Sequence, residues 1–374
     1  MAMVLANKNR RSVPLLRSLG YHIMQRQHEL DIQSMLRLSY SLGKLNFHHQ
    51  QLLEKILAEL PHRLAECTPG MVASLAKSFA FLKWLHYPLY NAIAQYTLEN
   101  LERFKSQNLA NLLIAFARLN YQPKNSDAFF RNVISALDSG IDSLNSNNLV
   151  DTVWSLAILQ QVPNQYLSKA LGPEYQEKVS EGVSYQIQSL RLKLLHINTA
   201  ARLECPDYQG PYLPDEFIKP ADALINPGRK ATAMQAAILH SLTNTLGGEK
   251  FLRSKVLTPY GHKLDAEFLL DADGKALPVD EYETFYSEKD GGTAKTPPNA
   301  KRIAVMLWEF QNYCYQSKDL LGRYEMARRH LTKAGYALLE IPYYEWNDLR
   351  SEWQRGAYLK DKINKAVAAE VAKK

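Results

Sequence analysis

Residues 301–358 constrain the fold most, because they read in order as strand, loop, helix, strand, loop and helix. Ile303–Leu307 is a short apolar, partly β-branched run suited to a buried strand. Asp319 is the expected N-cap of a helix running to about Ala334, where Gly335 stops it. Leu321, Tyr324, Ala327 and Leu331 recur at spacings of three and four and define its apolar face. Arg323, Arg329, His330 and Lys333 fall on the other face. Ala337–Ile341 is a second apolar strand, closed by Pro342. Aromatic residues crowd the loops, with Trp308, Phe310, Tyr313 and Tyr315 after the first strand and Tyr343, Tyr344 and Trp346 after the second.

With 374 residues the chain can hold two or three domains and bury a large core. A formal charge of +7 leans toward an anionic partner without specifying one. Cys67, Cys205 and Cys314 lie far apart, without a CxxC pair, so neither a zinc site nor a disulfide framework follows; a reducing compartment is expected. No apolar run approaches the length of a membrane span, and no membrane insertion is expected.

Residues 1–175 read as an α-solenoid of two-helix repeats. Leu5-Ala6-Asn7, Leu45-Asn46-Phe47, Leu85-His86-Tyr87, Leu119-Asn120-Tyr121 and Leu159-Gln160-Gln161 look like helix ends followed by turns, spaced 40, 40, 34 and 40 residues apart. Thr68-Pro69 has the form of an N-cap followed by proline at the first helical position. Asn108-Leu109 and Asn148-Leu149 look like equivalent helix starts. Arg10, Arg11, Arg17 and Arg26 precede the first acid, Glu29, in the manner of a transit peptide. The repeat pattern instead makes this segment a repeat helix, with the first repeat truncated and any targeting segment upstream. Such an array leaves a concave face for a partner, onto which Lys77, Asn111, Arg118 and Asp151 can project.

The character changes over 183–300. Val183–Ala201 suits one helix, and Cys205–Pro220 an irregular connection. Pro227-Gly228 leads toward a helix over 231–246, ended by Gly247-Gly248. Phe251–Thr258 and Lys263–Leu270 read as strands, and Glu288–Asn299 as a linker. With the later elements the order is helix, three strands, helix, strand, which resembles the PD-(D/E)XK nuclease core. The fold class is therefore α+β multidomain: a solenoid (1–175), a middle region (183–300), a terminal α/β module (301–361) and a basic helix or tail (362–374).

The strand Ile303–Leu307, Leu320-Leu321-Gly322-Arg323, Arg328-Arg329-His330-Leu331, Gly335-Tyr336 and Pro342-Tyr343-Tyr344-Glu345-Trp346 together resemble a RAP domain. This is the RNA-binding module that ends the FAST kinase domain-containing family of mitochondrial proteins. The resemblance implies a mitochondrial matrix protein that binds single-stranded mitochondrial RNA and helps stabilise and process particular messengers, alongside other RNA-processing proteins.

A nuclease of PD-(D/E)XK type needs an acid on the second strand and a D/E-x-K pair on the third to hold a divalent metal. Asp265 and Glu267 can supply the first, with Glu309 and Glu340 as the remaining acids. RAP sequences often carry acids two apart on the third strand, where this chain has Met306 and Trp308; neither binds a hard cation. Kinase chemistry has no support, since the glycine-rich loop, HRD and DFG are all missing. No catalytic residue, metal or cofactor is therefore expected. Residues 301–374 hold 14 Lys/Arg against 9 Asp/Glu, an excess that attracts phosphates. Candidate RNA contacts are Lys301, Arg302, Lys318, Arg323, Arg328, Arg329, Lys333 and Arg350, with Trp308, Tyr313, Tyr344 and Trp346 for base stacking. A metal-dependent RNA endonuclease and a protein-interaction scaffold are the alternatives.

Overall fold

The computed structural model describes residues 1–25, 30–180, 185–214, 217, 230–279 and 299–371. Pro227-Gly228 and, apart from Asn299, the linker expected over 288–299 lie outside them. The chain forms two compact units: Met1–Val162 with Tyr313–Glu325, and Pro163–Asn312 with Met326–Lys374.

The first unit contains α1 (Ala2–Asn7), α2 (Val13–Gln25), α3 (Ile32–Lys44), α4 (Gln50–Glu59), α5 (Pro69–Phe81), α6 (Tyr87–Glu99), α7 (Ser106–Leu119), α8 (Ser126–Asp138) and α9 (Ser146–Ile158). The odd-numbered helices pack each against the next, α1 on α3 through to α7 on α9. Small residues bring their backbones close. A Cβ on Gly43 would lie 2.6 Å from the Ser78 carbonyl oxygen. Ser41, Ser78 and Ser155 bury their hydroxyls by donating to the carbonyl four residues back, at 2.7, 2.7 and 2.6 Å.

Each odd-numbered helix is followed closely by a left-handed residue: Asn9, Asn46, Lys83, Asn120 and Gln160. Their intervals are 37, 37, 37 and 40 residues, which corrects the spacing expected from the Leu-centred triplets. Leu85-His86-Tyr87 is a helix start, where His86 Nδ1 caps α6 by accepting from the Leu89 amide at 3.2 Å. Leucine beside an aromatic occurs at both ends of these helices, so the triplet cannot tell a stop from a start. Thr68 caps α5, its hydroxyl accepting from the Met71 amide at 3.4 Å. Asn108 and Asn148 lie inside their helices, and the N-cap of α9 is Asn145.

The side chain two residues past the left-handed position holds the next repeat. Arg11 donates to the Leu45 carbonyl at 3.0 Å, and Gln122 to Leu159 at 3.0 Å. His48 Nε2 lies 2.7 Å from the Leu82 carbonyl, which can only accept. After Lys83 that place falls to Leu85, which has no side-chain donor. Residues 313–325 cover this interval. Tyr315 donates its amide to the Lys83 carbonyl at 2.7 Å, and its ring centroid lies 4.4 Å from His48 and 4.9 Å from Trp84. Cys314 Sγ is 3.9 Å from the Leu119 carbonyl. Gly322 abuts α7 so closely that a Cβ would meet the Ala117 carbonyl oxygen at 1.9 Å.

The second unit begins with α10 (Asn164–Ala170), α11 (Pro173–Ser180) and α12 (Tyr185–Glu204), and continues through α13 (Ala233–Leu246). Its sheet holds β1 (Arg253–Leu257), β2 (Lys263–Leu270), a two-residue β3 (Ala276–Leu277), β4 (Lys301–Trp308) and β5 (Ala337–Pro342). The order is β1-β2-β4-β5, antiparallel except for the parallel pair β4/β5, with β3 beside β2. α14 (Gly322–Lys333) precedes β5, and its first turn is counted with the first unit. α15 (Tyr343–Asn347) and α16 (Glu352–Val371) follow. Phe268, Ile303, Val305, Leu339 and Ile341 build one apolar face of the sheet, on which Ile238 and Leu242 of α13 and Leu359 of α16 pack. At about 25 cal/mol per Å2 such burial dominates the stability of the unit.

Two expected boundaries change. Asp319 does not cap α14, which starts at Gly322; its carboxylate accepts from the Ser317 hydroxyl at 2.5 Å instead. Tyr343–Trp346, expected as loop, forms the single turn of α15.

Candidate nucleic-acid interface

In the second unit, the four acids considered for nuclease chemistry separate into a pair and two ion-paired residues. The Asp265 carboxylate accepts from the Leu307 amide at 2.8 Å and from Gln235 at 3.1 Å. Burial pushes its pKa up to about 6; the neighbouring Glu309 adds to the rise, while the Leu307 bond opposes it. Glu309 accepts from the Thr232 hydroxyl at 2.5 Å and from Gln311 at 2.7 Å. Thr232 and Gln235 form the capping box of α13, so the start of that helix fixes both carboxylates.

Glu267 is buried and pairs with Arg253 at 3.0 Å. Glu340 pairs with Arg328 at 2.8 Å and accepts from the Trp308 indole at 2.7 Å. Met306 and Trp308 are each 4% exposed. Among the described residues no group of three or more His, Cys, Asp or Glu side chains is placed to hold a metal ion. Two acids are already neutralised by arginines, and the third-strand positions offer sulfur and indole. This donor set does not fit a divalent cation.

The cations expected to form one basic helix face also separate. Arg329 is held by the buried Glu204 at 2.5 Å, with His330 Nε2 at 3.5 Å from the same carboxylate. Burial by itself would raise the Glu204 pKa, but hydrogen bonds and charge from His330 and Arg329 outweigh it and hold it at about 2. The buried network continues from His330 to His262 at 2.9 Å, and the His262 ring stacks on His196 at 4.5 Å. Desolvation keeps both His262 and His330 below the usual histidine range. Arg329 is thereby removed as a phosphate contact, because its guanidinium balances a buried carboxylate. Lys333 is exposed and reaches the Leu203 carbonyl at 3.4 Å. Arg302 lies 5.0 Å over the Tyr336 ring, Lys301 is half-buried, and Arg350 is exposed. In the first unit Lys318 and Arg323 are exposed.

Trp308, Tyr313 and Trp346 are 4, 4 and 3% exposed, which puts them out of reach of a stacking base and corrects that expectation. Their apolar area is used in packing. Tyr344 is half-buried against Tyr343. Within residues 299–371 the exposed rings are others: Phe310 at 59% and Trp353 at 81%. Gly356 and Ala357, one turn beyond Trp353, cannot cover its indole, which was the available sequence signal. Glu204 and His262 in the second unit, and Lys83 in the first, give no signal in the sequence as partners of these residues. Among the described residues no helix is long and apolar enough to cross a membrane.

Three sequence profiles match the chain: "FAST kinase-like protein, subdomain 1" over 109–180, "FAST kinase-like protein, subdomain 2" over 191–278, and "RAP domain" over 305–362. FAST kinase domain-containing protein 4 of Rattus norvegicus is 44% identical over 371 residues, covering 99% of this chain and 59% of that protein. FAST kinase domain-containing protein 1, mitochondrial, of Mus musculus is 28% identical over 89% of this chain and 41% of its own length. FAST kinase domain-containing protein 3, mitochondrial, of Bos taurus is 26% identical over 94% and 52%. The chain thus spans less than two thirds of the length of these relatives.

Proposed function

Because the chain belongs to the FAST kinase-like family whose members carry a RAP domain, we propose that it is a non-catalytic RNA-binding protein of mitochondria. The observation that carries this reading is the RAP match over 305–362, with Met306 and Trp308 buried where a nuclease of the resembled type needs carboxylates. Relatives named as mitochondrial support the compartment, and we place the protein in the matrix. In this reading the helices of 1–175 act as a solenoid that holds single-stranded RNA. Residues 183–300 and 301–361 supply a PD-(D/E)XK-like module retained for grip, closed by the basic helix α16. The bound RNA is a mitochondrial messenger that the protein shields and presents to other processing proteins.

The test is binding of end-labelled single-stranded RNA across a salt series. Affinity should fall steeply as salt rises, because each phosphate contact releases counterions. Binding that stays flat with salt would favour the scaffold reading instead.

The nearness of Asp265 to Glu309 favours one competing reading, a metal-dependent endonuclease. Incubation of labelled RNA with the protein and Mn2+ is expected to leave the RNA intact. Discrete cleavage that disappears in Asp265→Asn would replace the first reading by the second.

A further inference from the structure

Two arginines distant in sequence come together in the first unit. Arg118, at the end of α7, donates its Nε to the Ala80 carbonyl at 2.9 Å and lays its guanidinium 5.3 Å over the Phe81 ring. Gly322 packs on the Ala117 carbonyl, beside Arg118, and so brings the next residue, Arg323, to the same place. The Arg323 guanidinium lies 4.5 Å over the Tyr324 ring and bonds its hydroxyl. Lys83 completes the group: its carbonyl receives the Tyr315 amide at 2.7 Å, and the charges of Arg118 and Arg323 both act on it.

Both arginines are exposed, and among the described residues neither is in an ion pair. The Nε bond fixes Arg118 while leaving its two terminal nitrogens, a fork that matches a phosphate. Three like charges repel one another, and an anion relieves that cost. The flanking rings distinguish RNA from other polyanions: Phe81 is 42% exposed, and Tyr324 is half-buried beside Arg323. A nucleobase can stack there while its phosphate meets the cations.

We propose that Lys83, Arg118 and Arg323 form a phosphate-binding site for single-stranded RNA, with Phe81 and Tyr324 as surfaces for the adjoining base. The site rests on the RNA-binding reading and deepens it. It is composite, since the turn after α5 and the end of α7 supply two cations and residues 313–325 supply the third.

The experiment measures binding of a labelled oligouridine to the full chain across a salt series. The triple variant Lys83→Gln, Arg118→Gln, Arg323→Gln should lose about 10- to 100-fold in affinity at low salt and flatten the log–log salt slope by about 2, at about 0.7 per phosphate contact on single strands. Arg323→Glu alone, an exposed change at a side chain that among the described residues bonds only its neighbour Tyr324, should weaken binding without altering the melting temperature. It keeps the test valid if the triple variant misfolds. Arg131→Gln, an exposed cation on α8, should bind as the wild type does. Wild-type binding with unchanged affinity and slope in the folded variants overturns this site but not the RNA reading. A wild type that fails to bind overturns both. Polyglutamate competing as well as RNA would assign the cluster to acidic protein instead.

Discussion

Gly322→Val is expected to dislodge residues 313–325 from the first unit and to lower its stability by about 3 kcal/mol or more, the upper range for overpacking. The added Cβ would meet the Ala117 carbonyl oxygen at 1.9 Å and Ile158 Cγ2 at 2.7 Å. Side-chain rotation cannot relieve the first contact, because backbone faces backbone. The segment must therefore lift, breaking the Tyr315 amide bond to Lys83 and uncovering Trp84. Thermal denaturation, tryptophan emission and limited proteolysis within 313–325 would report this together. Gly356→Ala is the contrasting case, since nothing lies within 4 Å of its added carbon in α16. It should stabilise by about 1 kcal/mol through helix propensity alone. A Gly322→Val protein that melts and resists protease like the wild type would show that the close approach is not needed.

The second large effect is expected of Glu204→Gln. Its carboxylate balances Arg329 in a site where both side chains are largely shielded, at 8 and 20% exposure. Removing one partner leaves a buried charge uncompensated, which costs about 3–5 kcal/mol in such pairs. The pH profile carries a signature that a mere packing defect would not. Folded His262 and His330 have depressed pKa values, so unfolding takes up protons and wild-type stability declines as pH falls below about 6.5. His196, Arg329, Lys333 and Glu204 are the charged and titratable groups facing them. Glu204 adds a separate loss further down: its ordinary pKa is 4.5 and its folded value about 2, so its contribution is present above 4.5 and disappears as pH falls toward 2. The variant should lack that lower limb. Denaturant titrations from pH 7 to pH 3 measure it, and identical profiles for the two proteins would contradict the assignment.

The sheet is most legible in the sequence where local signals agree. β2 was expected at its observed limits, Lys263–Leu270, because turn residues bound it on both sides. Gly335, at φ +86°, stops α14 as a left-handed residue should. The repeat register was less legible: Asn and Gln at left-handed positions are informative, but Lys83 in the same conformation gives no compositional warning. Asp319 looked like a cap because its spacing was right, yet the close seat of Gly322 determines where the helix starts. The interface was least visible. Glu204 and Arg329 are 125 residues apart, and Glu340 meets Trp308 only through the register of β4 with β5. One-dimensional patterns assign charge to a helix face but do not reveal which charge is already matched.

The gap at Leu85, filled by Tyr313–Glu325, also bears on how the chain matures. During synthesis the early helices must wait for about 150 further residues before their last piece leaves the ribosome, with His48 and Trp84 lacking their aromatic cover until then. Closing so long a loop is slow and entropically uphill. Translation halted before Tyr313 should therefore yield a nascent chain that chaperones capture at this seam.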